Sequence, residues 1–341
     1  MRQLASFLAL TAVGWVAGYV TNINPIEETF FPTFAAFALT LGLYGSVAGI
    51  ELEAIRNQRL VALIVVTVAV PLQILAAGGL MYLIYPAGIS FLIAVALTQI
   101  DPLSVDTLLK DKEKMSDEAK GLLRVWASFD DPITVLFGFL ILLPLVTEQT
   151  AASAGFDGTA LVLYVLLNTV PALLIWLAKK YTAVFDNQPI ALIVLVSVLA
   201  LAFLTQSYLL AAIVGLLLRP IPNDYLTAVI SVFYYLIVFI VGMAIFSYGV
   251  DLRLGFLIAV IEFWVIQPAT TIFVFNGKTH DVLRIAFAQQ NGLTTLLMGI
   301  AFQSLGIPVL HILLPGIVFV NIFNLVVNRV YTYKEQNGLI Y

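Results

Sequence analysis

The chain of 341 residues contains no cysteine and few charged residues. The absence of cysteine excludes disulfide bonds and thiolate metal sites and leaves the redox compartment undetermined. Asp, Glu, Lys and Arg together make up 11% of the chain, whereas soluble domains contain about 25%. The net charge of −4 is small and gives no indication of a nucleic-acid partner. Apolar residues dominate instead, at 61%.

The apolar residues occur in runs of about 20, the length of helix that crosses a hydrocarbon core of roughly 30 Å. The alternating segments of about ten residues that are typical of a β-barrel are absent from the sequence. The sequence therefore predicts an all-α polytopic membrane protein embedded in the lipid bilayer. Residues 3–20 resemble a signal peptide, but no clear small-residue cleavage site follows, so we expect a retained first span.

The hydrophobic pattern predicts twelve transmembrane helices. They cover about 3–20, 30–50, 60–84, 88–109, 121–147, 159–178, 189–204, 207–219, 226–248, 252–275, 281–303 and 308–329. The predictions of the seventh and eighth spans are the weakest, because the segment LTQSY interrupts the apolar run between them. No predicted loop exceeds about a dozen residues, which leaves no room for a soluble catalytic domain. We therefore expect a protein that is not an enzyme and that acts inside the membrane.

The basic residues predict that both termini are cytoplasmic, because cytoplasmic loops of membrane proteins are enriched in Lys and Arg. With this orientation all but one of the 16 basic residues fall at inner ends, and only Arg253 lies outside. The inner set is Arg2, Arg56, Arg59, Lys110, Lys112, Lys114, Lys120, Arg124, Lys179, Lys180, Arg219, Lys278, Arg284, Arg329 and Lys334. The expected location is the inner (plasma) membrane, with several passes.

Four acidic residues lie deep within predicted spans, namely Asp101, Asp130, Asp131 and Glu262, and Asp106 lies nearer the inner end of the fourth span. An ionisable side chain at bilayer depth costs at least about 2.5–3.5 kcal/mol, so each is a candidate functional residue. The fourth and fifth spans form a hairpin centred near Met115, and Asp101 and Asp130 are nearly equidistant from that centre. At 1.5 Å per residue both lie roughly 12–15 Å from the inner end, close to the midplane. Three carboxyl groups on two helices are therefore predicted to meet.

Prolines follow these acids directly, as Pro102 after Asp101 and Pro132 after Asp131. Proline has no N–H, so the carbonyls of Thr98 and Ser128 lose their helical donors. Freed carbonyls at membrane depth are tolerated where protein or a water-filled cavity satisfies them. Such oxygens suit a small monovalent cation, although the same pattern also fits proline kinks whose acids are hydrogen-bonded for packing.

Polar residues interrupt two spans of the second half in a similar way. The tenth span contains Glu262 followed by Gln267 and Pro268, and the eleventh contains a polar break at residues 289–292 that includes Asn291 and Gly292. Spans 3–5 and 10–12 have opposite topology. Interrupted spans at corresponding positions of two inverted halves indicate a transporter with a site at the midplane. Glu262 itself could pair with a site residue, face water, or be protonated.

The segments ALTQIDPLSVDTLLKD and SFDDPITVLFGF together resemble the monovalent cation:proton antiporter superfamily, in its sodium/proton exchanger branch of Asp-Asp type. Two glycine-containing segments, LYGSVAGIELEAIR and GMAIFSYGVDLRLG, are also similar to that family. The resemblance implies two broken crossing helices, alternating access and a homodimer. It implies core helices at about 60–147 and 252–329 beside interface helices at about 3–50 and 159–248.

The resemblance also implies roles for the acids. Asp131 would carry the ion or proton, Asp130 would be its variable neighbour, and Asp101 would match the Asp of the broken helix. Asp131 and Asp101 would then bind the cation transiently, and no cofactor is expected. Three positions depart from the family pattern, namely Ile100 in place of threonine, Trp126 in place of glutamate, and Gln267 in place of Lys or Arg. The last leaves Asp130 without its expected partner.

These observations favour exchange of a monovalent cation (Na⁺, with Li⁺ or K⁺ as alternatives) for protons. Burial in a low-dielectric site favours the neutral form of a carboxyl group, so a proton and a cation compete for it. A sodium-coupled organic anion symporter of related fold is one alternative, against which the site lacks a basic anchor. A cation channel or a sensor without turnover is another. An intramembrane aspartyl protease is disfavoured because adjacent acids on one helix do not form its dyad.

Overall fold

The computed structural model describes residues 2–48, 59–101, 105, 109, 115–150 and 158–337. All regular structure in these ranges is helical. Seven of the helices there are long and apolar enough to cross a membrane, and four shorter apolar helices accompany them. The chain is therefore an integral membrane protein.

Within the described residues the chain forms thirteen helices besides the short 3₁₀ turns Pro25–Glu27 and Val184–Asp186, and we number them in chain order. Six of them lie in the first half. They are α1 (Arg2–Thr21), α2 (Phe31–Ala48), α3 (Arg59–Ile64, Val65–Ala69 and Val70–Ile84, continuous), α4 (Ile89–Leu97), α5 (Asp117–Leu136, Phe137–Leu142 and Leu143–Thr150, continuous) and α6 (Gly158–Tyr181). α4 is short because the chain leaves the helical conformation at residues 98–101. This interruption lies within the predicted fourth span.

The second half forms seven more helices. They are α7 (Gln188–Leu204), α8 (Tyr208–Leu217), α9 (Asn223–Tyr248), α10 (Leu252–Val260, Ile261–Ile266 and Gln267–Val274, continuous), α11 (Thr279–Ala286), α12 (Leu293–Ser304) and α13 (Leu310–Gln336). α11 and α12 are the two halves of the predicted eleventh span, separated by residues 287–292. Within the described residues, each of the twelve predicted spans contains one helix or one interrupted helix, and residues 102–104 and 106–108 of the fourth span lie outside them.

The prediction of two broken crossing helices is confirmed. The backbone N–H of Asp101, at the end of the first break, donates to the carbonyl of Gln290 in the second break at 2.8 Å. Asn291 and Gly292 lie within the second break, as the polar sequence indicated. Pro102, expected to support the first break, lies outside the described residues.

Two other prolines do not break their helices. α5 runs through Pro132, where the Thr134 hydroxyl donates to the carbonyls of Asp130 and Asp131 at 2.9 Å each. α10 runs through Pro268, directly after the π-helical turn Ile261–Ile266. α5 therefore stays helical through Pro132 although the Thr134 hydroxyl bonds Asp130 and Asp131 and not the Ser128 carbonyl that Pro132 frees, and in α10 a π-helical turn directly precedes the proline.

Two glycines hold α1 and α9 in backbone contact. A Cβ atom on Gly14 would meet the carbonyl of Phe239 and the Cα atom of Gly242, and a Cβ on Gly242 would meet the carbonyl of Thr11. Lipid tails supply no hydrophobic drive for helix association, so close approach through small residues provides the packing energy instead. This pairing makes α1 part of the bundle.

We expect Gly242→Ala to destabilise the protein by about 1–3 kcal/mol, because the new methyl group overlaps the α1 backbone. The thermal midpoint of the detergent-purified protein measures this effect. Gly79→Ala is the matched control, since Gly79 is also within a helix but a Cβ atom added there would have nothing within 4 Å. Equal midpoints for the two variants would contradict the packing assignment.

Candidate functional site

Asp131 lies where three helices meet. Its Oδ2 atom accepts hydrogen bonds from the hydroxyl of Ser46 on α2 at 2.8 Å and from that of Thr294 on α12 at 2.9 Å. The residue is 3% exposed and lies within α5. Two hydroxyl groups from two other helices therefore orient one oxygen of this buried acid.

Asp101 lies beside the same position, at the end of the interrupted fourth span. It is partly buried, and a Cβ atom on Gly292 would meet its carboxyl group. Asp131 accepts its hydrogen bond from Thr294, two residues beyond Gly292. Glycine is required at position 292 because any side chain there would displace the Asp101 carboxyl group. The structure thus brings Asp101, Asp131 and Gly292 together.

Asp130 points elsewhere. Its Oδ2 atom accepts the backbone N–H of Ile100 at 2.8 Å, and the residue is fully buried. Successive helical residues point about 100° apart, so one acid of the pair binds the first break while the other points toward Ser46 and Thr294. The adjacent aspartates consequently have different surroundings.

Side-chain amides satisfy the backbone of the two breaks. The Asn291 amide donates to the carbonyls of Leu97 at 2.8 Å and Gln99 at 3.2 Å. The Gln289 amide also donates to Leu97, at 2.7 Å. The Asn321 side chain accepts from the Asn291 N–H and donates to its carbonyl. Each break is thus completed mainly by the other, as broken helices at membrane depth require.

Gln99, in the first break, contacts Thr134 on α5 and Thr295 on α12. Its amide nitrogen donates to the Thr134 hydroxyl at 2.6 Å, and its oxygen accepts from the Thr295 hydroxyl at 2.9 Å. Sequence reasoning did not single out Gln99, Thr134 or Thr295. The sequence did contain one indication of them, since all three are polar residues within apolar spans and lie close to the acids and to the breaks.

The prediction for Thr98 and Ser128 concerned their backbone carbonyls, and their side-chain hydroxyls are bonded to their own helices. The Thr98 hydroxyl donates to the carbonyl of Val95 at 3.3 Å, and the Ser128 hydroxyl donates to that of Arg124 at 2.6 Å. The hydroxyls that contact Asp131 are those of Ser46 and Thr294, which sequence reasoning missed. Ser46 was hidden in a glycine-rich segment that reads as a packing motif.

Glu262 and Gln267 form a separate buried cluster. Gln267 accepts a hydrogen bond from the Gln73 amide on α3 at 2.7 Å, and Glu262 is fully buried five residues earlier on α10. Neither residue is hydrogen-bonded to Asp131 across the part of the chain that the structure describes. These two residues are therefore separate from the hydroxyl contacts of Asp131.

The site combines carboxylate and hydroxyl oxygens without an ionic partner for the two buried aspartates. Among the described residues, neither Asp130 nor Asp131 forms an ion pair with Lys or Arg. The same residues contain no cluster of three His, Cys, Asp or Glu side chains that could hold a metal ion. Oxygen ligands of this kind are hard donors that suit protons and alkali cations.

Comparison with known proteins places the chain in a family. The family model described as "Sodium/hydrogen exchanger, transmembrane" matches residues 2–286. The chain belongs to this family. The sodium/hydrogen exchangers are transporters, so this family member is a membrane transport protein.

A solved structure has the same fold. The sodium proton antiporter MjNhaP1 from Methanocaldococcus jannaschii, determined at pH 8, superposes with a TM-score of 0.71 at 14% sequence identity. The match covers 94% of this chain and 91% of that one. A comparison with curated protein sequences returned no match. The exchanger chain thus shares an antiporter fold at low sequence identity.

We expect Asn291→Leu to destabilise the crossing and abolish transport. The change keeps the side-chain volume but leaves the Gln99 carbonyl without the Asn291 donor, at about 1–3 kcal/mol for a buried group left unsatisfied, and leaves Leu97 only the Gln289 amide. Thermal midpoint and proteoliposome transport are the measurements. Asn337→Leu is the control, because the Asn337 amide is exposed and donates only along its own helix, to Tyr333. A stable, active Asn291→Leu protein would rule out this role.

Proposed function

We propose that the protein exchanges a monovalent cation for protons and that Asp131 carries either one. Na⁺ is the expected cation, with Li⁺ and K⁺ as alternatives. The observation that carries this proposal is the Asp131 carboxyl group, buried and bonded to hydroxyls from two other helices. Membership of the sodium/hydrogen exchanger family supports the same conclusion.

Competition between a proton and a cation for the Asp131 carboxyl group couples the transport of the two. Burial disfavours the ionised form of an acid, whereas hydrogen bonds to the ionised form favour it. Asp131 experiences both effects, so it can take up a proton or a dehydrated cation but not both. If only the occupied protein changes the side to which it opens, two opposing gradients become exchange.

The neighbouring groups have separate roles in this proposal. Asp131 and Asp101 contact the cation transiently, because the Asp101 carboxyl group lies against Gly292 and Asp131 is hydrogen-bonded to Thr294, two residues further along the chain. Thr294 and Ser46 orient the Asp131 oxygen. The cation is a substrate, and the proposal needs no resident metal or cofactor.

Alternating access requires two groups of helices to move past one another. We assign core helices to about 60–147 and 252–329 and interface helices to about 3–50 and 159–248. Ser46 then belongs to the interface group and Asp131 to the core, so their hydrogen bond crosses the moving boundary. We propose a homodimer in the inner (plasma) membrane with both termini cytoplasmic, in agreement with the distribution of basic residues.

The competing functions are distinguishable. A sodium-coupled organic anion symporter would need a basic group to bind the anion, and the described residues show none paired with Asp130 or Asp131. Uptake of a labelled organic acid would support that alternative. A channel would pass cations without the counterflow between two cation gradients that an exchanger produces.

We expect Asp131→Asn to reduce exchange to the level of empty proteoliposomes, because an amide cannot bind and release a proton. A pH-sensitive dye in the lumen, with Na⁺, Li⁺ or K⁺ added outside, measures exchange. Asp224→Asn is the matched control, because Asp224 is exposed at the start of α9. Exchange retained by a folded Asp131→Asn protein would refute the assignment of the carrier.

We expect Thr294→Val to move the half-maximal activity to higher pH by about one unit. Losing a donor to the ionised carboxylate costs about 1.5–3 kcal/mol, and one pH unit corresponds to about 1.4 kcal/mol. The proton then competes better, so cation transport begins only at more alkaline pH. The pH profile of dye-reported exchange tests this. Thr169→Val, which alters an exposed hydroxyl bonded to its own helix at Val165, should leave the profile unmoved.

A further inference from the structure

A second link between α5 and α12 lies beside the hydrogen bond that joins Asp131 to Thr294. That bond is direct and 2.9 Å long. The Thr134 hydroxyl, three residues beyond Asp131, accepts from the Gln99 amide at 2.6 Å. Gln99 accepts in turn from the hydroxyl of Thr295, the residue after Thr294, at 2.9 Å. α5 and α12 are therefore linked twice, once at the site and once through the side chain of Gln99.

The orientation of the Gln99 amide is determined by its neighbours. The amide nitrogen also donates to the sulfur of Met298 at 3.0 Å. A thioether sulfur can accept a hydrogen bond but cannot donate one. The nitrogen must therefore point toward Met298 and Thr134, and the oxygen toward Thr295. The two ends of this amide are assigned to two different helices.

Both hydroxyls of this link have a donor and an acceptor. The Thr295 hydroxyl accepts from the Asn291 amide at 3.4 Å and donates to the Gln99 oxygen. The Thr134 hydroxyl accepts from the Gln99 nitrogen and donates to two carbonyls of its own helix. Gln99, Thr134 and Thr295 are each at most 1% exposed. A buried network with its groups satisfied is rigid, because moving one member leaves a buried polar group unpaired.

Packing holds the same two helices at a further position. A Cβ atom on Gly138 of α5 would meet the side chains of Met298 and Phe302 on α12. α4, which leads into the first break, contacts both α5 and α12. The separation of α5 and α12 is thus held by side-chain packing around Gly138 and by the Gln99 link next to the site.

This separation determines the space available at Asp131. In the proposed exchange, the cation binds to an Asp131 oxygen on α5 next to the Thr294 hydroxyl on α12. Li⁺, Na⁺ and K⁺ carry the same charge and differ in radius, so an oxygen site distinguishes them by the spacing and the flexibility of its oxygens. A flexible pair of helices would adjust to each cation. A link of fixed length prevents this adjustment.

We propose that Gln99 determines the cation specificity of the exchange, because its amide links Thr134 to Thr295 and so sets the distance between the two helices at Asp131. Gln99 does not touch the cation in this assignment, and it is therefore a positioning residue. The role rests on the proposed exchange at Asp131. It gives a function to a network that the competition between a proton and a cation does not itself require.

Two substitutions of Gln99 test this role. Gln99→Asn keeps the amide but is one methylene shorter, so it cannot reach both hydroxyls unless the helices approach each other. Gln99→Met keeps the length of the side chain and removes both hydrogen bonds. The measurement is the half-maximal concentration of Li⁺, Na⁺ and K⁺ for dye-reported exchange in proteoliposomes.

We expect the ratios between these three concentrations to change by about threefold or more in each variant, as the loss of one or two buried hydrogen bonds implies. Gln99→Asn should favour Li⁺ relative to the wild type, because a shorter link draws the helices together. Gln99→Met should bring the three concentrations closer to one another, because the helices can then adjust to each cation. Ratios equal to those of the wild type in both variants would overturn the proposal.

Gln73→Met is the matched control. Gln73 is an equally buried glutamine, at 1% exposed, and its amide is bonded to Gln267. Its replacement should lower the thermal midpoint and leave the three ratios unchanged. The ratios are informative because a general loss of folded protein reduces exchange of all three cations equally. A Gln73→Met protein with the same altered ratios as the Gln99 variants would show that any buried amide has this effect and would overturn the proposal.

A binding measurement covers a Gln99 variant that no longer transports. The rise in thermal midpoint with added Li⁺, Na⁺ or K⁺, against choline, reports cation binding to the detergent-purified protein. We expect the order of the three rises to differ between the wild type and the Gln99 variants, and an unchanged order would contradict the role of Gln99. A wild type that exchanges none of the three cations would instead refute the proposed function, so the two failures are distinguishable.

Discussion

Interrupting a helix inside hydrocarbon exposes backbone groups that no lipid can satisfy, and this constraint organises the structure. The breaks at residues 98–101 and 287–292 meet, and each supplies donors or acceptors to the other. Asn321 on α13 completes the second break. Since an unsatisfied backbone group at this depth costs several kcal/mol, the crossing forms as a unit. The two acids of α5 occupy positions that this unit defines.

The crossing also explains why adjacent aspartates differ. Asp130 accepts the N–H of Ile100 and is part of the framework, whereas Asp131 contacts hydroxyl groups on α2 and α12. An acid that holds the backbone of a break, as Asp130 does, needs hydrogen-bond partners that do not change. An acid that accepts a changing ligand needs neighbours such as hydroxyls, which can both donate and accept. Both requirements are satisfied within one dipeptide because a helix turns by about 100° per residue.

The features of the fold that depend on local composition could be predicted from the sequence. Apolar runs determined the spans, and equal distances from the hairpin centre placed Asp101 and Asp130 at one depth. The polar run at residues 289–292 indicated the second break. Contacts between helices distant in sequence could not be read this way, as Ser46 with Asp131 and Gln73 with Gln267 show. The loss of a backbone donor at Pro132 and at Pro268 did not interrupt their helices, since α5 and α10 both continue through the proline.

The hydrogen bond from Ser46 to Asp131 has a mechanical meaning. A hydroxyl donates more strongly to a carboxylate than to a neutral acid. In the proposed exchange, a proton on Asp131 would therefore weaken the link between α2 and α5, and a cation would compete with the hydroxyl for the same oxygen. The empty, ionised Asp131 would be the state in which these two helices are joined most firmly. On this proposal, the Ser46–Asp131 hydrogen bond of 2.8 Å opposes a change of the open side without a bound proton or cation, and so limits uncoupled dissipation of the gradient.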